Sequence, residues 1–326
     1  MRMPRFVVVM LSVGISVGMT FFGAGVLHGQ TYPNKPIRLL TTEAGGGNDF
    51  AARLLGFGLT SNMGQQVVVE NRGGGGGYIA PEVVSKAAPD GYTLLLFSSS
   101  LWLQPLIREK SLYDPIKDFI PISVVCTAPS TLVLHPSVAA KSIKELIALA
   151  KAKPGQLNYA SGATGTTGHL GAELFKYMAG VDIMRIAYKG NGPAIIDVMS
   201  GQTQMMFATA GTVAQHIKSG RLKALAVTSA KPSPLVPGLP AIAADLPGFE
   251  SVSIYGLFAP AKTPPAIVNK LHEEVVRALN RPDVKEKFLA SGQEAISSTP
   301  EEYSALIKED MARMGKVIKA AGIHEE

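Results

Sequence analysis

Cysteine is almost absent from this sequence, which contains a single residue of that type, Cys126, among 326 residues. One thiol excludes an intramolecular disulfide, so the folded chain must depend on its apolar core rather than on covalent crosslinks. Hydrophobic residues make up 46% of the chain and charged residues 17%, which supplies such a core and is not typical of disordered proteins. The apolar neighbours Ile122, Val124 and Val125 predict that Cys126 is a buried thiol on a strand.

A strong excess of charge of one sign is also lacking. The formal net charge is +6, and Arg2 and Arg5 of the N-terminal segment contribute two of the positive charges. The chain has no run of lysine and arginine residues with interleaved aromatic residues, the pattern that is typical of nucleic-acid-binding surfaces. The sequence therefore excludes nucleic acid as the expected partner.

Signatures of the common enzyme classes are missing. There is no Gly-x-Ser-x-Gly elbow, and the six histidines have no partner at the helical spacing of a metal-ligand pair. A dinucleotide-binding loop beginning Gly45-x-Gly47 would need glycine at position 50, where the chain has Phe50, and no P-loop Gly-Lys-Ser or Gly-Lys-Thr follows. We therefore expect no catalytic residue, no metal and no cofactor, and keep an α/β enzyme as the second alternative.

A long apolar run occurs only at the start of the chain. Arg2 and Arg5 precede an uncharged stretch from Phe6 to Leu27, the pattern of a secretory signal peptide, which we predict over residues 1–29. An uncleaved anchor is the alternative, because the stretch approaches the roughly 20 residues that span a bilayer. We expect cleavage and a periplasmic location.

After this segment, strand and helix patterns alternate along the chain, which is the signature of an α/β fold. Two passages, near Val125–Pro129 and near Glu250–Ser253, are predicted to carry the chain from one α/β unit to the other and back. We therefore expect two domains joined by a hinge. Their predicted boundaries are residues 30–126 and 252–326 for a discontinuous domain I, and residues 127–251 for domain II.

The predicted helices carry recognisable start signals. Capping boxes at Ser142-Ile143-Lys144-Glu145 and at Thr299-Pro300-Glu301-Glu302 predict that helices begin there. Acidic pairs such as Glu273-Glu274 are expected on the exposed faces of helices, where they would be solvated rather than functional.

Two glycine-rich loops, each between a predicted strand and a predicted helix, are the most informative feature of the chain. The first is Glu43–Asp49, after the strand Ile37–Thr41, and the second is Ser161–His169, after the strand Asn158–Ala160. Loops without Cβ atoms let backbone N–H groups approach a ligand, and the start of a helix adds unpaired donors and the positive end of its dipole. Two such loops in different halves of the chain predict a site for one small acid.

Simpler interpretations of both loops stay open. The first loop is alternatively a tight turn in which Asp49 is the N-cap of the helix, and the second is alternatively a polar surface loop. The serine and threonine hydroxyls of the second loop, together with its backbone N–H groups, form a donor set suited to carboxylate oxygens. This donor set favours ligand contact.

Three further features near the predicted cleft have two interpretations each. Ser98–Ser100 end the buried strand Thr93–Phe97, where ligands collect in open α/β sheets, or they form a serine-rich turn. Trp102, the only tryptophan, either lines the cleft or belongs to the core. His169 lies in the first turn of a helix, where the dipole disfavours a cation, so we expect a neutral histidine that orders the loop; a catalytic role is the alternative.

Several ordered motifs resemble those of one family over essentially the whole chain from Tyr32 to Ile323. In the first half they are Tyr32-Pro33-x-Lys35-Pro36-Ile37-Arg38, Gly45-Gly46-x-x-Asp49, Ala52-Arg53, Gly64-Gln65-x-Val67-Val68-Val69-Glu70-Asn71-Arg72 and Pro89-Asp90-Gly91-Tyr92-Thr93-Leu94. In the second half they are Leu157-Asn158-Tyr159-Ala160-Ser161-Gly162, Gly168-His169-Leu170, Tyr188-Lys189-Gly190, Gly220-Arg221-Leu222-Lys223-Ala224-Leu225-Ala226-Val227-Thr228 and Ala259-Pro260-x-x-Thr263-Pro264. On these residues the chain resembles the substrate-binding proteins of tripartite tricarboxylate transporters, the Bug family.

The resemblance implies a two-domain fold of the periplasmic-binding-protein type (type II, a Venus flytrap), with the ligand cleft between the domains. It implies capture of a small organic acid and delivery to a membrane permease of one large and one small integral subunit; a ligand sensor for a membrane signalling system is the alternative. In this family a carboxylate is typically held by backbone amides, hydroxyls and ordered waters, and the loops Tyr188–Gly192 and Ala208–Gly211 would close the cleft. Carried onto this sequence, the implied ligand-binding residues are Ala44, Gly45, Gly46, Gly47, Asn48, Asp49, Ser98, Ser99, Ser100, Ser161, Thr164, Gly165, Thr166, Thr167, Tyr188 and Thr209.

The chain departs from the family pattern at two places beside the expected cleft. Thr42-Glu43 stands where the family usually has an apolar or aromatic residue with a proline. Ala208-Thr209-Ala210 stands where an acidic residue or asparagine is common. The resemblance therefore indicates the class of ligand and not the particular acid.

Overall fold

The computed structural model describes residues 32–42, 44–73, 78–108, 110–162, 164–188 and 190–324. The predicted signal peptide, Glu43 and most of the five-glycine run at 73–77 lie outside the described residues. Residues 35–326 form one compact unit, to which the following description refers.

The chain alternates strands and helices, as predicted from the sequence. The strands are β1 (Ile37–Thr41), β2 (Val67–Asn71), β3 (Thr93–Ser98), β4 (Phe119–Leu134), β5 (Asn158–Ser161), β6 (Met184–Ala187), β7 (Met205–Thr209), β8 (Lys223–Val227), β9 (Val252–Pro260) and β10 (Glu294–Ala295). The helices are α1 (Gly47–Met63), α2 (Ile79–Ser85), α3 (Ser100–Leu103), α4 (Ile143–Ala152), α5 (Thr167–Ala179), α6 (Asn191–Ser200), α7 (Ala210–Lys218), α8 (Pro265–Leu279), α9 (Pro282–Ala290) and α10 (Pro300–Ala320). Among the helices in the described ranges, none has the length and apolar character needed to cross a bilayer.

Two long antiparallel strands connect two sets of parallel strands. The strand order is β2-β1-β3-β9-β4-β7-β5-β6, with β8 and β10 also paired to β4. Strands β1, β2 and β3 are mutually parallel, as are β5, β6 and β7. Strand β4 pairs with β9 through Phe119–Pro129 and with β7 through Ser130–Leu134. The predicted boundaries at 126 and 251 fall beside these connections, and the division into two domains stays a prediction.

The helix starts test the capping signals. At Thr299 both bonds of the capping box form, since Glu302 N–H donates to Thr299 Oγ1 at 3.1 Å and Thr299 N–H donates to Glu302 Oε2 at 2.8 Å. At Ser142 the hydroxyl accepts from Glu145 N–H, but the Glu145 carboxylate accepts from Lys141 N–H, one residue before the cap. The two predicted helix starts are therefore confirmed, the second with a shifted return bond.

One alternative and one prediction about acidic residues are wrong. Gly46, and not Asp49, is the N-cap of α1, because the helix already begins at Gly47. Glu274 was expected at the surface, yet it is 1% exposed, and its carboxylate binds Lys270 Nζ at 2.7 Å and Arg277 Nη1 at 3.1 Å. The reason is tertiary, since α8 packs against α1, while the side chains of Lys270 and Arg277 stay 42% and 60% exposed.

Candidate ligand-binding site

A cavity of about 400 Å³ brings the two glycine-rich loops together. This volume is within the range of roughly 300–1,000 Å³ that small-molecule sites occupy. The predicted site residues in its wall are Gly46, Gly47, Asn48, Ser98, Ser99, Ser100, Thr164, Gly165, Thr166 and Thr167. Segments from both halves of the sheet thus converge on one concave surface rich in hydroxyl and backbone donors.

A second cavity of about 510 Å³ shares part of this wall. The shared residues are Gly46, Gly47, Thr166, Thr167, Ser253 and Tyr255. Gly45 and Thr209 line the second cavity only. The predicted residues Ala44, Asp49, Ser161 and Tyr188 are not part of either wall, and the Tyr188 hydroxyl donates instead to Asp197 Oδ2 at 2.7 Å.

Asp49 holds the first loop in shape by hydrogen bonds and lies outside both cavity walls. Its buried carboxylate accepts from Gly45 N–H at 2.9 Å and from Asn71 Nδ2 at 2.8 Å, and it lies 3.0 Å from Arg53 Nε. Burial by itself would raise the pKa of Asp49, but the hydrogen bonds from Gly45, Asn71 and Arg53 outweigh burial and hold the pKa below its usual value. Gly45 needs its positive φ of 84° for this turn, a conformation that favours glycine. The carboxylate therefore fixes the shape of the loop.

Arg185 on β6 braces the second loop in the same way, and the sequence analysis missed it. Its guanidinium donates to Ser161 Oγ at 2.8 Å, to Thr164 Oγ1 at 3.2 Å and to the Gly162 carbonyl at 3.1 Å. The available signal was a lone charged residue in a short strand otherwise made of Met184, Ile186 and Ala187. Since β6 pairs with the strand that leads into the loop, Arg185 lies beside that loop.

His169 also holds the second loop in shape, as predicted. It is 2% exposed, and its Nδ1 accepts a hydrogen bond from Gly165 N–H at 3.1 Å. Burial, with smaller contributions from the charges of Arg185 and Lys176, lowers the pKa of His169 to about 3. A neutral ring with its proton on Nε2 fits this bond, so the histidine has the structural role that the sequence indicated.

The buried His169 predicts a pH dependence of stability. The pKa of histidine is about 6.5 in an unfolded chain but about 3 in this fold. Between these pH values only the unfolded state binds the proton, so stability should fall as the pH drops from about 6.5 towards 3, by up to about 1.4 kcal/mol per pH unit. His169→Asn keeps an acceptor and cannot titrate. Thermal melts should therefore show a shallower acid slope for this variant, and parallel curves for the two proteins would contradict the assignment.

Tyr255 on β9 stands between the two cavities and links the two loops. Burial raises the pKa of Tyr255 to about 12, and its hydroxyl bonds to Ser253 and Gln293. Gln293 Nε2 donates to the Gly47 carbonyl at 2.9 Å, and the Ser253 and Thr167 hydroxyls lie 2.7 Å apart. This chain of bonds connects the first loop to the second through residues that no local sequence pattern marked.

The cavity wall also contains charged side chains that the sequence analysis missed. These are Arg108, Asp310 and Arg313. Trp102 belongs to the core behind them, since it is fully buried and donates from Nε1 to Asp310 Oδ2 at 2.8 Å. Cys126 is buried on β4, as predicted. Within the described residues no group of three His, Cys, Asp or Glu side chains is arranged to hold a metal ion.

The chain matches a known family over most of its length. Residues 51–323 match the sequence model of TctC, described as the tripartite tricarboxylate transporter family receptor. The chain therefore belongs to this family of solute-binding receptors, and the family indicated by its motifs is confirmed. The predicted fold class is also confirmed, because the solved structure of the periplasmic binding protein BugD superposes on the chain with a TM-score of 0.73.

Three similar proteins illustrate the likeness. Protein BugT of Bordetella pertussis is 36% identical over 330 residues, covering 99% of both chains. A structure described as R. palustris Rpa4515 with adipate is 34% identical, has a TM-score of 0.76, and the match covers 90% of this chain and 99% of that one. MatC (Rpa3494) from Rhodopseudomonas palustris with bound malate is 28% identical, has a TM-score of 0.70, and the match covers 88% and 100%.

Proposed function

We propose that this protein is a periplasmic solute-binding protein that captures a small organic acid as its carboxylate and delivers it to a tripartite tricarboxylate-type permease. The observation that carries this proposal is the cavity in which two braced glycine-rich loops and the Ser98–Ser100 turn meet. Asp49 and Arg185 keep the two loops in shape, and this leaves backbone and hydroxyl donors for a ligand.

The physical chemistry of these donors suits a carboxylate. Charge-assisted hydrogen bonds contribute roughly 1.5–3 kcal/mol each. Three or four of them would supply much of the roughly −8 kcal/mol that a micromolar dissociation constant requires. Loss of translational freedom and ordering of the loops offset part of this gain, so we expect affinities near micromolar rather than picomolar.

The comparisons support an acid as the ligand and a membrane partner. Adipate and malate are the ligands named for two similar structures, and both are small carboxylic acids. The family description names a tripartite transporter, from which we infer a permease of one large and one small integral subunit. An export signal over residues 1–29 would place the receptor in the periplasm. Closure of domain II (127–251) on the remainder, domain I, would enclose the acid as a population shift.

A ligand titration tests the proposed function. We expect the purified protein to give a saturable heat signal, a Trp102 fluorescence change and a raised melting temperature with at least one small carboxylic acid, near micromolar concentration. Thr166→Ala removes a hydroxyl from the cavity wall and should weaken that binding by about tenfold. Ser219→Ala, at the exposed end of α7, is the matched control and should bind as the wild type does. Silence of the folded, ligand-free protein towards mono-, di- and tricarboxylic acids would overturn the proposal.

A further inference from the structure

Arg313 presents a fixed cation to the cavity. It lies on α10, and its Nη2 donates to Asp310 Oδ1 at 2.8 Å while its Nη1 donates to the Glu250 carbonyl. The side chain is 40% exposed, so it is accessible from the cavity that it lines. These two bonds engage both terminal nitrogens of the guanidinium and restrict its orientation.

Asp310 is committed to holding Arg313. The residue is 8% exposed, and its other carboxylate oxygen accepts from the indole N–H of Trp102 at 2.8 Å. Trp102 is itself fully buried and packs edge-on against Tyr303 at 6.0 Å, so the indole N–H that binds the carboxylate has a fixed position. A buried carboxylate is tolerated only when it is paired in this manner. Asp310 is therefore a positioning residue and not a receptor for a cationic ligand.

The charged side chains of the cavity wall favour an anionic ligand, in addition to the donors of the glycine-rich loops. Arg108, held over the Tyr78 ring at 4.5 Å, and Arg313 are the basic side chains in the described wall, and Asp310 is the acidic one. Two guanidinium groups against one carboxylate leave the described part of the wall with one net positive charge. A guanidinium carries five N–H donors, and two of those on Arg313 are used by Asp310 and Glu250.

We propose that Arg313, positioned by Asp310 and Trp102, is a specificity-determining residue that recognises a second anionic group of the ligand. The preferred ligands are then acids with two carboxylates, one held by the neutral donors of the loops and one by the guanidinium. This inference rests on the proposed function and assigns the second half of its site. A planar guanidinium suits a carboxylate because the two can form paired hydrogen bonds.

Matched pairs of acids test this assignment. The probes are the straight-chain diacids from succinate to pimelate and the monomethyl ester of each, which keeps the length of the ligand and removes one charge. By calorimetry we expect the best diacid to bind the wild type at least tenfold more tightly than its monoester. Arg313→Gln should weaken diacid binding by about 10- to 100-fold and bring the ratio of diacid to monoester affinity close to one.

Two further variants distinguish recognition by Arg313 from an effect of the protein's net charge and from a loss of folded structure. Lys316→Gln removes one positive charge from the exposed face of the same helix, outside the cavity wall, and should keep the wild-type ratio. Asp310→Asn keeps an acceptor for Trp102 but releases Arg313, so the diacid preference should fall to an intermediate value. Because Asp310 joins Arg313 to Trp102, diacids should also change the indole fluorescence more than monoesters do.

The outcomes distinguish this inference from the function on which it rests. If the wild type binds monoesters as tightly as diacids, or if Arg313→Gln lowers both affinities by the same factor, the assignment of Arg313 is wrong while the carboxylate-binding function stands. If the folded wild type binds no acid of either series, in fluorescence or in calorimetry, the proposed function fails and the assignment fails with it.

Discussion

Replacing Gly47 by alanine is expected to reduce ligand affinity by at least about a hundredfold. A Cβ atom at this position would overlap the Tyr255 hydroxyl, with the ring carbon Cζ only 3.0 Å away. Gly47 is the first residue of α1 and lines both cavities, and its carbonyl is held by Gln293. Relief of the overlap must move either the loop or the buried ring. In both cases the donors that meet the ligand are displaced, and a shift near 1 Å is enough to lose charge-assisted bonds.

Calorimetry with the best acid of the wild-type titration measures this loss, and two variants control for it. Gly56→Ala changes a glycine further along α1 and outside both cavity walls, where an added Cβ would lie 3.5 Å from Val69 Cγ2, an ordinary contact distance, so its affinity should stay within about twofold of the wild type. Tyr255→Phe removes the atom nearest to the added Cβ, so Gly47→Ala should lose less affinity in that background. Wild-type binding by Gly47→Ala would show that the loop does not contact the ligand.

The sequence was informative about the fold because its signals are local. Strands followed by glycine-rich loops and capped helices reveal themselves over ten residues, and the capping box at Thr299 formed as predicted. Three successive antiparallel pairings separate β3 from β7, so the two parallel sets run in opposite directions, and the loops at their carboxyl ends face one another. The meeting of Gly47 and Thr166 in one wall was thus predictable in outline from the alternation of elements.

The roles of the charged residues could not be predicted in this way. In a glycine-rich loop, an aspartate such as Asp49 could contact a ligand, cap the helix or hold the loop in shape. Only its bonds to Asn71 and Arg53, which the sequence does not reveal, indicate the last of these roles. Asp310 and Arg313 lie on a helix more than 200 residues beyond Trp102 in sequence, on a pattern that reads as an ordinary amphipathic surface. Their place in the cavity depends on how α10 packs against α3 and α5, which is a tertiary effect.

Gly256 carries the largest expected effect on stability, because it lies on β9, where a buried ring packs directly on the backbone. An added Cβ would overlap the Tyr303 hydroxyl and its ring carbons. Tyr303 is fully buried, with ring centroids 5.1 Å from Phe258 and 6.0 Å from Trp102, so it has no space into which to move. Overpacking of this kind costs roughly 3 kcal/mol, and Gly256→Ala should therefore lower the melting temperature by roughly 5–10 °C.

Two substitutions at the facing position make this prediction specific. Tyr303→Phe should not destabilise the protein, because the hydroxyl is buried without a hydrogen-bond partner in the described part of the chain, yet it should not rescue Gly256→Ala, since the overlapping ring carbons remain. Tyr303→Leu removes the outer part of the ring, which overlaps the added Cβ. The melting temperature of the double variant with Gly256→Ala should therefore be higher than the sum of the two single shifts predicts. Additive effects would mean that the ring does not transmit the strain.

Because Tyr303 also packs on Trp102, which holds Asp310, Gly256→Ala should in addition loosen the orientation of Arg313 and lower the preference for diacids.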